Sequence, residues 1–151
     1  MSSSGYVTDL TGMAQGNTEI TRVGNSVLAA SFFIRGRVNI HASATNTHVR
    51  LMIVRDKSQD GTDPTIAELL EDSTNIDSPL NMDNSHRFDM IRDRIYRLDS
   101  QGPIERSFKI YVPMMKGRKR HIKYTGGATT DTGENNLYVL AISDEATNAP
   151  T

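Results

Sequence analysis

Between residues 26 and 42 apolar side chains fall on every second position, and this alternation restricts the fold more than any other feature of the chain. Leu28, Ala30, Phe32, Ile34, Val38 and Ile40 share one phase, while Ser31, Arg35, Arg37 and Asn39 share the other. Successive side chains of a strand point to opposite faces, so the segment predicts one long strand with a single buried face. Shorter runs of the same character predict further strands over 6–10, 48–55, 87–98, 104–113, 119–125 and 136–143. Within 87–98 the apolar phase slips from Phe88 and Met90 to Ile91 and Ile95, as the extra residue of a β-bulge would produce. Residues 137–142 are apolar on both faces, which predicts a central strand covered on both sides.

One segment has a helical signature. Asp63 is placed to cap, Pro64 suits a first turn, and Ile66, Leu69 and Leu70 share a face, predicting a short helix over 64–71. Residues 72–86 follow as a polar loop. Seven strands and one inserted helix in 151 residues, with no repeat and no internal boundary, predict a single all-β domain over 1–151. An antiparallel sandwich of Greek-key or jelly-roll type fits best. Periodicity leaves an immunoglobulin-like sandwich open, although its Cys–Trp–Cys core is absent from a chain with no Cys and no Trp.

Composition excludes several chemistries. The absence of cysteine removes disulfides, thiolate metal sites and a cysteine nucleophile. No apolar run approaches the roughly 18 residues of a membrane span, and the first residues lack the pattern of a signal peptide, so no membrane partner is expected. A formal charge of −1 gives the whole molecule no bias toward nucleic acid, leaving any such binding to local patches. His41, His48, His86 and His121 show no metal-ligand spacing, and neither a nucleophile elbow nor a phosphate-binding glycine loop is present. No enzyme is expected. Asp56, Asp60 and Asp63 surround Gly61 and form a weak calcium candidate without EF-hand spacing; a solvated turn, with Asp63 as helix cap, is the favoured reading. No other cofactor is expected.

Basic residues are unevenly placed. Lys116, Arg118, Lys119, Arg120 and Lys123, with His121 among them, form a patch suited to phosphate or to a nuclear address, or else a solvated loop leading into a strand. A second set lies on strands: Arg35, Arg37, Arg50, Arg55, Arg87, Arg92, Arg94 and Arg97. Asp56, Asp89, Asp93 and Asp99 are near enough in sequence to neutralise several of them. Arg92, Arg94 and Arg97 read as charge pairs on a sheet face. Arg55 and Arg87, at strand ends, are the better phosphate candidates.

Five short stretches carry a family resemblance. One runs Val49-Arg-Leu-Met-Ile-Val-Arg-Asp56 and continues, after a turn, with Gly61-Thr-Asp-Pro-Thr-Ile-Ala-Glu-Leu-Leu70. The others are Arg22-Val-Gly-Asn25 with Arg87-Phe88, and Asn135-Asn-Leu-Tyr-Val-Leu-Ala-Ile-Ser-Asp144. In order and spacing over 6–144 the chain resembles the capsid proteins of circular single-stranded DNA viruses and of the satellite tobacco necrosis virus group. The resemblance implies an eight-stranded jelly roll of two facing sheets, lettered B to I. It further implies about sixty identical subunits in an icosahedral T=1 shell around a single-stranded genome, DNA in preference to RNA. Localisation would be the virion, and the host nucleus or cytoplasm during assembly. Arg22, Arg55, Arg87, Lys116, Arg118, Lys119, Arg120 and Lys123 would contact phosphates at the inner surface. Two departures follow. Residues 1–5 hold no arginine-rich arm, and the strands found account for B through H only. Strand I and the arm are therefore expected outside 1–151, leaving a gap between B and D unless another segment fills it. The alternative is a ligand- or carbohydrate-binding jelly roll, disfavoured because sugar platforms use exposed aromatic faces and this chain has few aromatics.

Overall fold

Alternating side chains do make strands, and the strands assemble into antiparallel sheets with almost no helix. The computed structural model describes residues 5–58, 62–114, 121–145 and 150. In chain order these contain β1 (Tyr6–Asp9), β2 (Ser26–Leu28), β3 (Ser31–Asn39), β4 (Asn46–Asp56) and α1 (Ile66–Leu69). A 3-10 turn (Met82–Asn84) follows, then β5 (Phe88–Asp99), β6 (Glu105–Pro113), β7 (His121–Lys123) and β8 (Asn136–Ser143). The fold is an all-β jelly roll. No helix among the described residues is long and apolar enough to cross a membrane.

The main sheet has the order β1-β8-β4-β5. β8 and β4 are central, and their two faces are buried against different partners. Met52, Val54, Tyr138, Leu140 and Ile142 pack on Ile66, Leu69, Leu70 and Ile76, from α1 and the loop behind it. On the other face Leu51, Ile53, Leu137 and Ala141 pack on Ile110 and Val112, with Phe32, Ile34 and Phe108 alongside. The second layer is a two-stranded ribbon in which β3 pairs with β6 and β2 with β7. Three layers thus enclose two apolar seams on either side of one sheet.

This order corrects the expected gap. β8 pairs with both β1 and β4, so it fills the slot expected to be empty or to be taken by a strand outside the chain. The seventh predicted strand stands where strand I was placed. A strand apolar on both faces is unsuited to a margin, and a central slot beside β4 covers both of its sides. The long segment between β4 and β5 contributes the helix and its loop, with a single isolated bridge at Leu70–Leu80.

Two irregularities have local causes. The predicted bulge is present: Ile53 faces Arg92 while Val54 faces Met90, leaving Ile91 as the extra residue of β5. The predicted strand over 26–42, by contrast, breaks at Ala29 and Ala30. From Leu28 to Ser31 is three steps, whereas their partners His121 and Pro113 are eight steps apart. Across the break the phase reverses, so Leu28 is exposed where it was expected inward and Val27 takes the half-buried position.

The helix is shorter than predicted and starts two residues later. Thr65, not Asp63, is the N-cap: its side chain accepts from the Glu68 N–H, and the Glu68 carboxylate accepts from the Thr65 N–H at 2.8 Å. Thr65→Ala is expected to lower stability by about 1 kcal/mol, read as a shift of the denaturation midpoint with unchanged slope. An unchanged midpoint would show that tertiary packing alone holds the helix.

Candidate functional site

Three of the arginines expected to meet phosphate are turned inward, and each closes a different joint of the fold. Arg87 precedes β5. Its Nε and Nη2 donate to Asp56 Oδ2 at 3.0 and 2.7 Å, and its Nη1 donates to Glu68 Oε1 at 2.9 Å. Nη2 also reaches the Thr62 carbonyl at 3.2 Å, and the guanidinium lies 4.7 Å from the centre of the Phe88 ring. Arg87 and Asp56 are both buried. The knot ties the end of β4, the first turn of α1 and the start of β5 together. The residues that carried the resemblance (Arg55-Asp56, Pro64-Thr65, Arg87-Phe88) are thus a structural joint.

Arg55 is also buried. It pairs with Asp89, which Lys57 approaches at 3.2 Å from outside. Burial lowers the Arg55 pKa from its ordinary value, and Nε has no hydrogen-bond partner among the described residues. Arg22 donates Nε to the Met13 carbonyl at 2.9 Å and its Nη atoms to the carbonyls of Gly24 and Gly126. Its guanidinium stacks 4.0 Å from the centre of the Tyr124 ring. Being 2% exposed, it fastens the loop before β2 to the turn after β7. In this conformation none of the three presents its charge to a phosphate in solvent. Buried charges need internal partners, and the sequence shows strand ends without showing which way the side chains turn.

A fourth clamp escaped the sequence reading. Arg50 makes a bidentate pair with Asp93, at 2.9 and 2.6 Å, and donates Nη1 to the carbonyls of Ile76 and Ser78. The Asp93 carboxylate raises the Arg50 pKa further, more than burial lowers it. Position 50 shares its phase with the apolar Met52 and Val54, so the arginine lies on a face that α1 and its loop cover. The missed signal was the loop over 72–86, whose carbonyls needed a donor once the loop covered the sheet.

Of the basic cluster, Lys123 is exposed and pairs with Glu134 at 2.5 Å. Lys116, Arg118, Lys119 and Arg120 lie outside the described residues. Arg97 reaches Asp99 at 3.5 Å and Asn46 at 3.3 Å, while Arg92 and Arg94 are exposed on β5.

Metal ligation finds no assembled site among the described residues. Asp56 is held by Arg87 and accepts from the Ser58 N–H, so its carboxylate is not available as the calcium ligand first considered. Asp63 interacts with the Tyr138 hydroxyl, and Asp60 lies outside the described residues. Among the described residues no three His, Asp or Glu side chains are grouped to hold a metal. The histidines are held separately. His48 pairs with Asp144 at 2.9 Å, His86 lies 3.1 Å from the Asp83 carbonyl, His121 lies 3.3 Å from Ser26 Oγ, and His41 accepts from the Ser43 N–H.

The charged side chains Arg22, Arg50, Arg55 and Arg87 are thus directed into joints of the fold. Residues 1–150 match the family model described as satellite tobacco necrosis virus coat protein, and the chain belongs to that family. It is a viral coat protein, structural in role, whose partners are copies of itself and whose place is the virion. No curated protein sequence matches the chain. The family match supports one half of the resemblance drawn from sequence. The half pointing to circular single-stranded DNA viruses, and with it the preference for DNA, gains no support.

Proposed function

We propose that this coat protein assembles into a small icosahedral shell of about sixty copies enclosing a single-stranded genome. Membership in a coat protein family over 1–150 is the observation that carries the reading. Lys116, Arg118, Lys119 and Arg120, in the connection between β6 and β7, are the proposed phosphate contacts of the earlier set, with Lys123 beside them. Arg22, Arg55 and Arg87 act in the fold instead.

Expression of the chain alone should give uniform particles of virus-like size by electron microscopy. The nucleic acid extracted from them, challenged separately with DNase and RNase, identifies the packaged polymer. A chain that stays monomeric across salt and pH would defeat the proposal.

A further inference from the structure

The outer face of the β3–β6 ribbon combines features that the fold does not use. On β3 the outward positions are Phe33, Arg35 and Arg37, and their cross-strand partners on β6 are Tyr111, Lys109 and Ser107. Phe33 and Tyr111 are partners in register and are 56% and 57% exposed, in a chain that otherwise buries much of its aromatic surface. The Arg35 guanidinium lies 5.0 Å from the centre of the Phe33 ring. Beside this pair a depression is lined by Arg35, Gly36, Arg37, Ser107, Phe108 and Lys109. Gly36 belongs to the inward phase, where a Cβ would stand 2.3 Å from the Phe108 ring, so the depression is walled by the outward side chains of Arg35, Arg37, Ser107 and Lys109. Glu105 is the acid at the rim, paired with Arg37 at 3.5 Å, and both side chains are exposed.

We infer that this face binds single-stranded nucleic acid, with bases stacked on Phe33 and Tyr111 and a backbone phosphate held in the depression by Arg35, Arg37 and Lys109. Exposed aromatics next to a cationic groove are the arrangement that holds single strands without reading sequence. Charge favours this occupant over a second copy of the chain. Three cations against one acid would repel their own image across a two-fold contact, whereas a polyanion complements them. The inference rests on the coat-protein reading and names the surface that would meet the genome.

The test uses dissociated subunits of the full chain with fluorescein-labelled oligo(U) and oligo(dT), followed by anisotropy over a salt series. Phe33→Ala and Tyr111→Ala should each weaken binding about tenfold and leave the salt slope unchanged. Arg35→Gln and Lys109→Gln should each reduce the slope of log affinity against log salt by about 0.7. All four side chains are exposed, and thermal melts confirm that the variants remain folded. Wild-type affinity in the four variants, or no binding by the wild type, overturns the inference. So does loss of particles in Phe33→Ala or Tyr111→Ala with oligonucleotide affinity intact, which would assign the face to contact between copies. Particles that form while subunits fail to bind sink this inference alone; subunits that bind but never assemble sink the shell.

Discussion

Replacing Asp56 with alanine is expected to destabilise the subunit by about 3 kcal/mol, measured by chemical denaturation of dissociated protein. The substitution leaves the buried Arg87 guanidinium without the carboxylate that takes two of its donors; Glu68 still holds Nη1. Removing the charge as well, in Asp56→Ala with Arg87→Met, is expected to restore much of the loss, because the cost lies in the orphaned charge more than in the missing pair. If Asp56→Ala costs less than about 1 kcal/mol, solvent reaches the joint and the knot does not bind the helix to the sheet.

A second large effect is expected on β8. Leu137→Ala and Leu140→Ala lie on opposite faces, one against the ribbon and one against α1. Both side chains are fully buried, so each truncation is expected to cost about 2–5 kcal/mol. A two-layered sandwich open to solvent on one side gives a different result, with one face tolerating alanine within about 0.5 kcal/mol. Equal and large losses would establish that the helix and its loop are a covering layer in their own right.

How much of this was legible differs from element to element. The strands were, because a half-buried sheet writes its period into the order of residues. The bulge was too, since the slip from Met90 to Ile91 is visible as a change of phase. What failed was pairing between distant segments. The apolar character of 137–142 already demanded a slot with neighbours on both sides, yet strand lettering by order of appearance left a gap in that same slot. The arginines failed for a related reason: whether Arg55 and Arg87 turn outward depends on Asp89, Asp56 and Glu68, which tertiary folding delivers. Phe33 could have been noticed, as an aromatic in the polar phase of the most regular strand in the chain.

β5 ends the main sheet, and among the described residues it pairs with β4 alone, through eleven of its twelve residues. Such a long free border invites other strands to add to it without limit, a hazard for any protein that must gather at high concentration. Here the border is broken by the kink at Ile91 and then studded with Arg92, Asp93 and Arg94. Bulge and charge together make this margin a poor template for fibrous stacking, which favours contact between crowded copies elsewhere on the subunit.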